Sequence, residues 1–158
     1  MRATRFVFAL LVISILVTVP MGAKSVPLKG SWTGVTVSAD LTTLPIVSIV
    51  AEGSGQLTHL GRYFMVSPHT TDVSNGRTVG DQIFTAANGD VLTAFCDGSP
   101  MMQPDGDVIG SLNCEITGGT GRFQDASGEY VFFLHASPRT DGGPGYATQA
   151  TISGRISY

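Results

Sequence analysis

The chain has 158 residues, 13% of them charged, with 9 lysines and arginines against 12 aspartates and glutamates, and 20 glycines. That length suits one domain large enough to bury a core. The acidic balance excludes the electrostatic footprint of a nucleic-acid or anionic-membrane binder, and many glycines with few charges favour turns and strands over long helices.

Arg2 and Arg5 precede an apolar run from Phe6 through Val19, followed by Pro20, Met21, Gly22 and Ala23. Charge, apolar core and small residues in that order make a signal peptide. The run of about 14 residues falls short of the roughly 20 that a spanning helix needs. Residues 1–23 are expected to be cleaved after Ala23, and no cysteine stands near that point to carry a lipid. The remaining 24–158 form one domain, secreted or periplasmic, with no membrane attachment after cleavage and with 7 basic against 12 acidic residues.

From residue 30 onward no window has helical periodicity, while alternation and turn signals recur. Gly30–Ala39 reads as a first strand, and Ile46–Leu60 as a second that bends at Gly53 and Gly55. After Gly61 comes Arg62–Pro68. Asn75-Gly76 and Asn88-Gly89 are type I′ hairpin signals, with both central residues at positive φ, and they bracket Arg77–Ala86. Asp90–Asp97, Val108–Thr117 and Glu129–Ser137 follow. Last comes Ala147–Tyr158, where Ala150, Ile152, Ile156 and Tyr158 alternate with Gln149, Thr151, Ser153, Arg155 and Ser157. Eight strands joined by short turns predict an all-β domain, an eight-stranded antiparallel up-and-down β-barrel; closure removes exposed edges and leaves an interior that is filled or holds one small ligand.

Cys96 and Cys114 are the only cysteines. An even count in an oxidising compartment points to a disulfide, and a hairpin centred near Asp105 would set the two opposite one another. The histidines, His59, His69 and His135, lack zinc-site spacing, so neither a metal nor another cofactor is expected. His59 draws attention because it shares a face with Leu57 in the alternation; the plain alternative is a barrel-end residue bonded to a backbone carbonyl. Glu52, Glu115 and Glu129 fall in strands, where an inward carboxylate would have a raised pKa, but Glu115 alternates with Leu112, Cys114 and Ile116 and so faces solvent. Asp97, Asp105 and Asp107 read as turn residues, without the EF-hand pattern. GGTGRF at 118–123 has neither the lysine nor the helix of a phosphate loop.

The run Ile116-Thr117-Gly118-Gly119-Thr120-Gly121-Arg122-Phe123, with Ala126 and Gly128 after it, resembles the corresponding turn of the allene oxide cyclase and dirigent barrels. Thr58-His59-Leu60-Gly61-Arg62-Tyr63 resembles a segment of bacterial secreted proteins grouped with the same barrel. The resemblance implies an eight-stranded barrel with an apolar cavity, and a homo-oligomer, since plant members are often trimeric. Consecutive glycines let the chain reverse between long strands, and Phe123 is placed to plug one barrel end. The plant cyclases' polar constellation with its catalytic glutamate has no counterpart in residues 24–50, nor have the dirigents' acidic and arginine motifs, so no catalytic residue is carried over.

Three function classes remain. A barrel binding a small apolar molecule predicts a roomy cavity lined by Phe64, Phe84, Phe95, Phe132 and Leu134. A cyclase or isomerase predicts, in addition, a buried ionisable group beside that cavity. A structural or interaction module predicts a filled core. The first is the reading preferred here, with a small apolar molecule as partner.

Overall fold

Side chains along a strand alternate between two faces, and in this chain the alternation is kept strand after strand. It is plainest at the C-terminal end, where Ala150, Ile152 and Ile156 are buried while Gln149, Thr151, Ser153 and Arg155 are exposed. The structure, a computed structural model, describes residues 24–158; the segment expected to be a signal peptide, 1–23, lies outside the described residues. The strands are β1 (Val26–Asp40), β2 (Ile46–Leu57), β3 (Gly61–Asp72), β4 (Arg77–Ala86), β5 (Val91–Gly98), the two-residue β6 (Met101–Met102), β7 (Val108–Gly119), β8 (Ser127–Pro138) and β9 (Tyr146–Ser157). Consecutive long strands pair antiparallel; β1 pairs with β9 and β5 with β7, so eight strands close into an up-and-down barrel.

The two ends of the barrel differ. The β2–β3, β4–β5 and β7–β8 turns and the chain's last residue gather at one end. There the 3-10 turn Gly121–Phe123 drops Phe123, fully buried, among a core that includes Leu28, Leu57, Leu60, Ala126 and Ile156. Tyr158 covers it from outside, its ring 5.3 Å from that of Phe123. Above this plug lies an aromatic layer. The Trp32 indole rests on Gly34, and the Tyr63 ring lies over Gly55 while its hydroxyl donates to the Ser31 carbonyl at 3.0 Å. Both glycines leave space that a Cβ would take. β2 keeps its register with both neighbours across Gly53 and Gly55, so the glycine at 55 serves ring packing as well as any bend.

Cys96 and Cys114 stand directly opposite each other on β5 and β7 and form a disulfide. By the chain-entropy argument a bridge closing a loop of this size contributes roughly 3 kcal/mol.

Several boundaries differ from the sequence reading. β1 starts four residues earlier, at Val26. β2 ends at Leu57: Thr58–Leu60 is a turn in which His59 has φ 71°, fastened because Thr58 donates its N–H to the Lys29 carbonyl (2.9 Å) and its Oγ1 accepts from the Lys29 N–H (2.8 Å). β3 runs past Pro68 to Asp72, with the proline still in register opposite Val50. The two Asn-Gly turns are not type I′: Gly76 and Gly89 have positive φ, but neither asparagine does. Each loop is longer than two residues, so the glycine alone supplies the left-handed step.

Replacing Phe123 by alanine removes the plug's largest side chain, and urea denaturation is expected to show a loss of about 3–5 kcal/mol; a loss below about 1 kcal/mol would mean that the plug is not part of the cooperative core.

Candidate functional site

At the other end the barrel is open. The β1–β2, β3–β4, β5–β7 and β8–β9 connections surround the mouth of a cavity of about 780 Å³ that reaches down to Trp32, Met65, Cys96 and Phe132. The mouth half has room because its inward positions carry small or short side chains: Ala51 on β2, Ser67 on β3, Thr78 and Gly80 on β4, Ala136 on β8 and Thr148 on β9. Exposed apolar side chains stand at the mouth, among them Leu41, Val73, Met101 and Met102, the two methionines about 70% exposed.

Of the residues expected to line a cavity, Phe132 and Leu134 do. Phe84 points inward too, but it is sealed in the aromatic layer between Tyr63 and Tyr130, with ring centroids 5.2 and 6.3 Å away. Phe64 and Phe95 are a correction: they lie on the outer wall, 44% and 46% exposed. Parity decides this, because Tyr63 and Met65 take the inner face on β3 and Ala94 and Cys96 take it on β5.

No aspartate, glutamate, lysine or arginine is among the lining residues. Glu115 and Glu129 are exposed on the outer wall. Asp97 pairs with Arg77 at 2.8 Å, Asp107 with His135, and the Asp105 carboxylate accepts the Asp107 N–H at 3.1 Å. The hydrogen bond from His135 holds the Asp107 carboxyl below its ordinary range.

The three histidines lie in three places. His59 belongs to the plug, its Nε2 3.0 Å from the Pro27 carbonyl, the barrel-end arrangement named as the plain alternative. His135 is on the outer wall, and His69 lines the cavity. His69 Nδ1 is 3.0 Å from the Ser67 carbonyl, which can only accept, so Nδ1 carries the proton. Burial pushes the His69 pKa down, partly opposed by that hydrogen bond. The signal for His69 was present as the alternation Tyr63, Met65, Ser67, His69, Thr71; ending the strand at Pro68 cut it off.

Two other polar groups border the cavity. Gln82, almost fully buried, accepts the Tyr130 hydroxyl at its Oε1 (2.7 Å), and Tyr130 lies 3.9 Å from Cys96 Sγ. Burial raises the Tyr130 pKa well above that of a free phenol, so the hydroxyl stays protonated and donates. The indole N–H of Trp32 is buried with no partner among the described residues. A buried donor left unpaired costs about 1–3 kcal/mol. At the rim, Arg139 donates to the Thr36 carbonyl (3.0 Å) and Thr36 Oγ1 accepts the Tyr146 N–H (3.2 Å), tying the β8–β9 loop to β1.

No family model matches the chain, and no curated protein matches it. Among solved structures it is similar to that of the pterocarpan synthase dirigent protein GePTS1, with a TM-score of 0.52, 17% sequence identity and 87% of each chain covered. The barrel is thus dirigent-like in fold.

Tyr130→Phe is expected to cost about 1–3 kcal/mol by stranding Gln82 Oε1, measured by chemical denaturation. In a double-mutant cycle with Gln82→Leu, the combined loss should fall short of the sum of the single losses; strict additivity would show the two side chains to be uncoupled.

Proposed function

We propose that this protein is a secreted or periplasmic barrel that binds one small, largely apolar molecule through its open end. The observation that carries the reading is the cavity itself: about 780 Å³, within the size range of small-molecule sites, open at one end and lined without a charged carboxylate, ammonium or guanidinium. Burying a charge without a partner is costly, so such a lining selects against charged occupants and favours apolar ones. Export is supported by the order of charge, apolar run and small residues in 1–23 and by the Cys96–Cys114 disulfide, which suits an oxidising compartment.

A second reading, an enzyme of cyclase or isomerase type, is favoured by one observation, the ionisable side chain of His69 beside the cavity. The neighbour GePTS1 is a synthase on the same kind of barrel; at 17% identity it is a precedent for the fold's use and brings no residue to this chain.

Titration with Nile red, a neutral dye without hydrogen-bond donors, tests the binding reading. A blue-shifted rise in emission that saturates at one dye per chain is expected. Leu134→Trp, which fills the cavity from β8, should weaken the dye by about tenfold, the effect of roughly 1.4 kcal/mol, without lowering the unfolding midpoint. No emission change with the folded wild type would overturn the proposal.

A further inference from the structure

A lining that is apolar and uncharged gives a ligand affinity but little orientation; a few placed polar atoms supply that. Several polar atoms of the cavity wall are already engaged. Thr71 and Thr78 join their hydroxyls at 2.9 Å, Thr36 Oγ1 holds the Tyr146 N–H, and Gln82 Oε1 holds Tyr130. His69 is different. Its Nδ1–H is spent on the Ser67 carbonyl, which leaves the neutral ring's Nε2 as a bare acceptor. That nitrogen has no partner among the described residues, and it is not among the side-chain atoms sealed from solvent, so it opens onto the cavity that His69 lines. Its surroundings on the wall leave it clear: Gly80, opposite His69 on β4, has no side chain to cover it, and Ile49, opposite on β2, offers no hydrogen-bonding group.

We infer that His69 anchors the ligand, its Nε2 accepting a hydrogen bond from a hydroxyl or other proton-donating group carried by an otherwise apolar molecule. The inference rests on the cavity-binding reading and narrows its ligand class: a molecule with no donor satisfies the apolar wall but leaves Nε2 without a partner. His69 is here a positioning residue; its ring turns an apolar bore into one with a preferred orientation for the guest.

The arrangement depends on pH. No carboxylate faces His69 to hold a proton on it. On β3 its inward neighbours are Ser67 and Thr71, on β4 Thr78, Gly80 and Gln82, and on β2 Val47, Ile49 and Ala51. Among the described residues, Tyr63, Tyr130 and Tyr146 are the other titratable groups on the inner wall, and all three are phenols. The charged groups of these strands lie elsewhere: Asp72 is engaged by Ser74 and Asn75 and Arg77 by Asp97 at the mouth, while Asp81 and Glu52 alternate to the outer wall. Burial therefore lowers the His69 pKa below its ordinary 6.5. The ring is neutral above pH 6.5. As pH falls through its lowered pKa, Nε2 takes a proton and changes from acceptor to donor.

The test compares 2-naphthol with 2-methoxynaphthalene, which share the ring system and differ in having a donor, by isothermal titration calorimetry at pH 8 and at an acidic pH below the His69 pKa, located by following the ring's NMR signals. At pH 8 the wild type should bind 2-naphthol about tenfold more tightly, the effect of one added hydrogen bond. His69→Leu should bring the two probes within about twofold. His69→Gln, which keeps an acceptor that does not titrate, should retain the preference at both pH values, whereas the wild type should lose it once the ring is protonated. Equal affinities in the wild type at pH 8, a preference that survives in His69→Leu, or a wild-type preference unchanged after the ring is protonated would each overturn the role of His69 and leave the Nile red result standing. Failure of the wild type to take up Nile red or either naphthalene would overturn the cavity reading and this inference together. Should His69→Leu not fold, the contrast between the wild type and His69→Gln across pH decides alone.

Discussion

Closure is the constraint on which the rest of this structure depends. Once β5 pairs with β7, none of the eight long strands is an edge strand, and their inward side chains face one column of space. A one-residue slip in any strand would exchange its inner and outer sets, so each strand's parity is enforced by all its neighbours. The same parity that puts Tyr63 and Met65 in the core puts Ser67 and His69 in the cavity and Phe64 on the outside. Core and candidate site are therefore one pattern read at two heights.

What differs between the heights is side-chain volume. Toward the plug, aromatic and large aliphatic residues fill the column, with Gly34 and Gly55 yielding room to the rings of Trp32 and Tyr63. Toward the mouth many inward positions become Ala, Ser, Thr or Gly, among them Ala51, Ser67, Thr78, Gly80 and Ala136, interspersed with larger residues such as Ile49, His69 and Leu134. A filled eight-stranded barrel needs large side chains along its whole length, and this chain supplies them over only part of it. The cavity follows from that composition without any special loop geometry.

Much of this was legible in the sequence. The strand count, the barrel, the facing cysteines and the solvent-facing Glu115 all follow from period-two alternation and turn spacing. The site was harder to read, for two identifiable reasons. Phe64 and Phe95 are aromatic, which suits a cavity lining, but the parity of their neighbours puts them outside. His69 lies beyond Pro68, where the strand expected from the sequence ends. Proline lacks the N–H of a ladder residue, yet β3 continues through it: β2 pairs with every residue from Gly61 to Asp72, while the β4 register jumps from Val66 to His69. His59 drew attention instead because its turn, with φ 71°, was invisible to an alternation count.

The disulfide's position also makes sense against the uneven filling. β5 is the shortest of the eight barrel strands, and after a break at Ser99 and Pro100 the two-residue β6 resumes the pairing with β7 in the same register. That seam is therefore interrupted just beyond the disulfide, at Ser99 and Pro100. It also runs beside the cavity, where side chains packed across the barrel do not hold opposite walls together. Cys96 and Cys114 join at the level where the filled half gives way to the open one, with Cys96 on the cavity lining and Tyr130 beneath it bonded to Gln82. A covalent tie at that level, between two core side chains, fixes the register of the pair of strands that closes the barrel, on the border between the filled half and the cavity.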